Sequence, residues 1–62
     1  MRILVNGTPR EVPPVCSLGE LVPHRPGVAA AVNGNVVRGR DWDHTALHEG
    51  DAVEVLTAFQ GG

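Results

Sequence analysis

Lysine and tyrosine are missing from this chain, cysteine and tryptophan occur once each, and aromatic residues make up only 3% of it. Each gap removes a class of function. The basic residues are all arginines, Arg2, Arg10, Arg25, Arg38 and Arg40, and seven acids outweigh them to a net charge of -2. They are scattered rather than stacked on one element, so the counterion-releasing basic face that nucleic acid demands is lacking and no nucleic-acid partner is expected. Without lysine, no side chain offers an isopeptide acceptor to another copy. Cys16 stands alone and cannot form an internal disulfide, whereas small secreted domains normally depend on several. A reducing, cytoplasmic setting is the expectation. No apolar run approaches the roughly 20 residues of a membrane span. The opening Met1-Arg2-Ile3-Leu4-Val5 meets the polar Asn6-Gly7 pair too soon for a signal-peptide core, so the chain reads as soluble, untargeted and without a membrane partner.

Length narrows the field further. With 62 residues, 1–62 form a single small domain that buries roughly 60% of its unfolded surface. A core of that size leaves about 3 to 5 kcal/mol of net stability, too little to support a strained, deep catalytic pocket. A carrier or binding role therefore fits better than an enzyme.

What is present is β structure punctuated by turns. Arg2 to Val5 and Thr8 to Val12 flank Asn6-Gly7, the residue pair that supplies the positive φ angles of a type I′ hairpin turn. Alternation places Met1, Ile3 and Val5 on one face and Arg2 and Leu4 on the other. Pro13-Pro14 ends the second strand. Ser17, with Glu20 three positions on, makes a capping box for a helix carrying Leu18, Leu21 and Val22. Gly19 weakens that helix, and Pro23 and Pro26 limit it to about two turns. Val28 to Val32 and Asn35 to Arg38 flank a second Asn-Gly turn at Asn33-Gly34. Arg40 to His48 lacks a clear period and reads as a loop with one turn of helix, pinned by Trp42. After Glu49-Gly50-Asp51 comes a last strand in an apolar stretch, Ala52 to Phe59, where Val53 and Val55 alternate with Glu54 and Leu56.

The predicted fold is α+β: a mixed sheet of four to five strands with one short helix packed on one face. The other face is left open to solvent or a partner. Leu4 and Leu56 point to it, and with Phe59 they form an expected partner-binding patch near the end of the chain. Residues 59–62, Phe59-Gln60-Gly61-Gly62, read as a flexible C-terminal tail.

In this order the residues resemble the ubiquitin-like β-grasp sulfur carriers, most closely the ThiS family of thiamin thiazole synthesis. The resemblance runs through Met1-Arg2-Ile3-Leu4-Val5-Asn6-Gly7, Ser17-Leu18-Gly19-Glu20-Leu21, Val32-Asn33-Gly34-Asn35-Val36-Val37 and Arg40-Asp41-Trp42. It continues through His48-Glu49-Gly50-Asp51-Ala52-Val53-Glu54-Val55 to Gly61-Gly62. Two features depart from it: Pro23-His24-Arg25-Pro26 shortens the helix, and Phe59-Gln60 stands where small aliphatic residues are common.

The resemblance implies a chemistry for the terminus. A ThiF-type activating enzyme would consume ATP to adenylate the Gly62 carboxylate, and a sulfur donor protein would convert it to a thiocarboxylate. A ThiG-type thiazole synthase, holding a carbohydrate-derived imine, would accept the sulfur. The chain itself binds no cofactor. A C-terminal carboxylate, with a pKa of about 3.3 to 3.7, is an anion able to attack the ATP α-phosphorus but a poor acyl acceptor until adenylated. Gly61 and Gly62, with Gln60, would thread a narrow channel that a Cβ would obstruct. Carriers for molybdopterin or cysteine synthesis, and non-covalent β-grasp interaction modules, are alternatives of similar build.

Other residues invite plainer readings. Cys16 behaves as a small buried hydrophobe. His44 and His48 have metal-compatible spacing but no third ligand nearby, so no metal site is expected. Trp42 plugs the core, and Asp51 stabilises a turn.

Overall fold

The computed structural model describes residues 1–57. Phe59, Gln60, Gly61 and Gly62, and the expectation of a flexible tail at 59–62, lie outside the described residues.

Two hairpins and one later strand build the sheet. The first hairpin joins β1 (Arg2–Val5) to β2 (Thr8–Glu11), and the second joins β3 (Val28–Val32) to β4 (Asn35–Val37). Both turns rest on the predicted Asn-Gly pairs, with φ of 51° at Asn6 and Asn33 and 83° and 85° at the following glycines. The last strand, β5 (Ala52–Thr57), enters between the hairpins, giving the order β2-β1-β5-β3-β4. It runs parallel to β1, with Leu4 opposite Ala52 and Val5 opposite Val53, and antiparallel to β3, with Val32 opposite Val53 and Val28 opposite Thr57.

The order follows from composition. Each hairpin turns its more apolar arm, Arg-Ile-Leu-Val or Val-Ala-Ala-Ala-Val, toward the centre and leaves the more polar arm outside. Edge strand β2, Thr-Pro-Arg-Glu, is exposed throughout, and its proline and charges oppose further strand addition.

The second layer differs from the expected two-turn α-helix. It consists of two 3₁₀ segments, η1 (Leu18–Glu20) and η2 (Gly39–His44), the latter inside the stretch that reads as an irregular crossing. At η1 the Glu20 carboxylate accepts the Ser17 N–H at 3.2 Å and its hydroxyl at 3.4 Å, the returning half of the anticipated capping box. Pro23 follows before a second turn can close. Tertiary bonds take up backbone groups that a helix start leaves free: Leu18 N–H donates to the Thr45 carbonyl at 2.8 Å and Leu47 N–H to the Cys16 carbonyl at 2.9 Å. These bonds bracket a bridge between Ser17 and Ala46, joining the two 3₁₀ segments.

Gly19 has its reason at this junction. A Cβ there would collide with the Asp43 carboxylate and lie 3.1 Å from the Asp43 backbone nitrogen. The core lies between the layers: Ile3, Ala30 and Val53 from the sheet meet Cys16, Leu18, Val22, Trp42 and Leu47 from above. Trp42 fills the centre of the upper layer, its indole N–H donating to the Val37 carbonyl at 2.8 Å.

Candidate functional site

The strand that leads toward Gly61-Gly62 is β5, and the sheet holds it from both sides. Backbone bonds run from Leu4 N–H to the Asp51 carbonyl at 2.9 Å and from Asn6 N–H to the Val53 carbonyl at 2.8 Å. On the other flank, Asn33 N–H reaches the Ala52 carbonyl at 2.8 Å. At the start of the strand, the Asp51 carboxylate accepts His48 N–H at 2.8 Å and the Asn33 side-chain amide at 3.0 Å, the turn-stabilising role expected of it.

Alternation sends Val53 into the core and Glu54 and Leu56 to the open face. Leu4 shares that face at 38% exposure, and Leu56 is 69% exposed. The two leucines are on the predicted face but not side by side. Leu4 sits opposite Ala52, so Leu56 lies four residues further along β5, about 13 Å at the usual strand rise. Phe59, the third member of the expected patch, lies outside the described residues.

Leu56 groups instead with residues that sequence reasoning passed over. Ala29 stands directly opposite it, Ala31 stands opposite both Glu54 and Val36, and Val36 is 80% exposed. These small residues leave a shallow groove of about 170 Å³, lined by Ala29, Ala31, Gly34 and Val36 on one side and Glu54 and Leu56 on the other. Ala30 lies in the core, so alternation turns Ala29 and Ala31 outward, and small side chains beside Leu56 make a hollow. At the far side of the face, Arg2 and Glu11 form an exposed pair, Nε to Oε2 3.0 Å, of little energetic weight.

On the other side of the molecule, a hollow of about 380 Å³ near the junction of η1 and η2 is bordered by Cys16, Ser17, Glu20, Asp43, His44 and His48. Its chemistry is quiet. Cys16 is buried, and that burial, reinforced by the negative charge of Glu20, pushes its thiol above the ordinary value. A protonated, enclosed thiol is a poor nucleophile. His44 closes η2, while His48 lies beyond it with Nδ1 3.8 Å from the Asp51 carboxylate, so the two do not share a helix face. Among the described residues, no group of three or more His, Cys, Asp or Glu side chains is placed to hold a metal ion. None of their helices is long and apolar enough to cross a membrane.

The profile of the ThiS family matches residues 3–62. The chain belongs to the ThiS family. Among solved structures it is similar to the crystal structure of a thiamine biosynthesis protein (ThiS) from Geobacter metallireducens, at 33% identity over 100% of both chains with a TM-score of 0.81. It is likewise similar to an NMR solution structure of a thiamine biosynthesis protein from the same organism, at 33% identity over 100% of this chain and 87% of the other, with a TM-score of 0.76. No curated protein matches the chain significantly. The mixed five-stranded sheet is thus the ubiquitin-like β-grasp of the ThiS family, with 3₁₀ turns in its covering layer.

Proposed function

We propose that this ThiS-family chain is a sulfur carrier of thiamin biosynthesis and that its reacting group is the Gly62 carboxylate. The observation that carries the reading is the family match, which extends to Gly62 itself. In this reading the carboxylate oxygen attacks the α-phosphorus of ATP on a ThiF-type adenylating enzyme, and the bond to pyrophosphate breaks. The acyl adenylate then has a leaving group, AMP, that sulfide-level sulfur released by a donor protein displaces to give the thiocarboxylate. Thiol-type sulfur ionises far more readily than a hydroxyl, so the product is a nucleophilic anion at neutral pH, suited to attack an electrophilic carbon on a ThiG-type thiazole synthase. The chain carries the acyl group and does not turn over alone.

The division of labour fits the architecture. Held on both flanks, β5 offers a fixed starting point, and Gly61 and Gly62 bring no Cβ to a channel that must admit backbone alone. Leu4 and Leu56 on the open face serve the docking of partners together with Phe59, and Leu56 stands beside the alanine-lined groove. The cytoplasm, where ATP and the donor proteins are available, is the proposed location.

The test is incubation of the purified chain with a ThiF-type enzyme, ATP and a sulfur donor, followed by intact-mass measurement. The expected result is a mass gain corresponding to one oxygen exchanged for sulfur, placed on Gly62 by fragmentation. Loss of that gain in Gly62→Ala, with the fold intact by circular dichroism, supports the channel argument. Loading of Gly62→Ala at the wild-type rate refutes it. Loading only by activating enzymes of molybdopterin or cysteine synthesis would move the chain to another pathway, and no loading by any of them would leave a non-covalent module.

A further inference from the structure

Strand β1 stops at Val5, while its parallel neighbour β5 runs on to Thr57. Past Val53, then, β5 has no main chain beside it on that flank, because Asn6 takes the left-handed φ of 51° and turns the backbone away into β2. The Asn6 side chain fills the vacancy. Its Oδ1 accepts the Val55 N–H at 2.8 Å, and its Nδ2 donates to the Val55 carbonyl at 3.3 Å. A carboxamide has the donor and acceptor of a peptide group, so the pair adds one more rung to the ladder from a side chain. It does so at the end of the sheet from which the chain proceeds toward Gly62.

The other turn asparagine is an internal comparison. Asn33 has the same φ of 51°, but its amide accepts Ala52 N–H at 3.0 Å and donates to the Asp51 carboxylate at 3.0 Å, at the beginning of β5. The two turn asparagines thus hold one strand at different points, Asn33 at its start and Asn6 toward its described end. A positive φ alone does not require asparagine at position 6, since Asp-Gly and Gly-Gly pairs make the same turn. The two-bond grip on Val55 does require a carboxamide.

We infer that Asn6 is a positioning residue for acyl activation: by gripping Val55 it holds β5 in place past the point where β1 ends, and so fixes the base from which the chain continues to the Gly62 that the activating enzyme must reach. The inference rests on the carrier reading above. Ordering the exit beforehand lowers the entropy lost on docking and acts on the KM of the carrier, whereas the reacting bonds at Gly62, and so kcat, are untouched.

Three variants separate the possibilities. Asn6→Gly keeps the turn and removes the grip, Asn6→Asp keeps an acceptor but sets a carboxylate oxygen against the Val55 carbonyl, and Asn33→Gly makes the matching loss at the other end. Two quantities are read: hydrogen exchange of the Val55 amide in the free chain, and KM and kcat for pyrophosphate release with a ThiF-type enzyme and ATP. The expected result is faster Val55 exchange in Asn6→Gly, with KM raised about fivefold to tenfold in both Asn6 variants and kcat within about twofold. Asn33→Gly should lower stability and leave KM alone. Unchanged Val55 exchange in Asn6→Gly, unchanged KM in both Asn6 variants, or an equal rise in KM for Asn33→Gly each overturns the inference. No pyrophosphate release and no sulfur gain with the wild-type chain would remove the carrier reading and this role with it, a result distinct from an Asn6-specific failure because the exchange experiment needs no partner.

Discussion

Leu18 and Leu56 are the same side chain in opposite situations, and truncating each to alanine tests the two faces of the sheet at once. Leu18 is fully enclosed, at 0% exposure, by a core that also contains Ile3, Val53 and Trp42. Leu→Ala at such a site costs about 2 to 5 kcal/mol through lost transfer energy and the cavity left behind. A domain of this size has about 3 to 5 kcal/mol in all, so Leu18→Ala should stand at the threshold of unfolding. With a urea m-value near the low end for small proteins, about 1 kcal/mol per molar, the midpoint should fall by about 2 M or more. Trp42, the one tryptophan, is 3% exposed within the same cluster and reports the transition by fluorescence. Leu56 is 69% exposed, so Leu56→Ala should change stability by no more than about 0.5 kcal/mol. If the proposed docking role holds, losing this apolar side chain should instead weaken binding to the activating enzyme about fivefold to thirtyfold. A midpoint for Leu18→Ala within about 0.5 M of wild type, or a stability loss in Leu56→Ala that matches it, would refute the assignment of core and open face.

Other perturbations have equally definite outcomes. Gly19→Ala pushes a methyl into the Asp43 carboxylate and against its backbone nitrogen, displacing that carboxylate from His24 Nε2, 3.5 Å away. A loss of about 1 to 3 kcal/mol is expected by thermal unfolding, and an unchanged or raised melting temperature would contradict the close approach of η1 and η2. Asp51→Ala strips the acceptor from His48 N–H and the Asn33 amide, at a cost of about 1 to 3 kcal/mol. A double-mutant cycle with Asn33→Ala should show coupling, and strict additivity would mean the two side chains act independently. Cys16, buried with its thiol pushed up, should resist maleimide at neutral pH and react quickly once urea unfolds the chain. Because the folded thiol ionises later than the unfolded one, its contribution is fully present below the ordinary value of about 8.5 and falls as pH rises past it. Cys16→Ser should flatten that part of the curve of urea midpoint against pH.

How much of this was legible in the chain depends on whether a residue's role is local. Asn6-Gly7 and Asn33-Gly34 announce their turns because positive φ is a property of those residues and their immediate neighbours, and the observed angles agree. Parity along a strand is local too, which is why Ile3 and Val53 lie inside and Leu4 and Leu56 on the opposite face, as alternation alone predicts. Parity says nothing about position along the sheet, however, and the distance between Leu4 and Leu56 became readable only from the register that sets Leu4 against Ala52. The covering layer fails for the converse reason. Ser17 and Glu20 do make a helix-start contact, but Ser17 is also bridged to Ala46, far away in the chain, and with Pro23 close behind the segment settles as a single 3₁₀ turn.

Gly19 and Asn6 show the same limit from the side of meaning rather than conformation. In sequence, Gly19 is a residue that weakens a helix; in the fold it is the point where η1 lies against Asp43 without a clash. In sequence, Asn6 is a residue that permits a turn; in the fold its amide grips Val55 because β5 outruns β1. Turn propensity would be satisfied by glycine, and the grip would not, so the choice of asparagine becomes informative only when the neighbouring strand is known. The same holds for Ala29 and Ala31, ordinary small residues until the register sets them beside Leu56 and makes a groove of them. These features are therefore assembled from residues whose local reading is unremarkable, and it is the insertion of β5 between the two hairpins that brings them together.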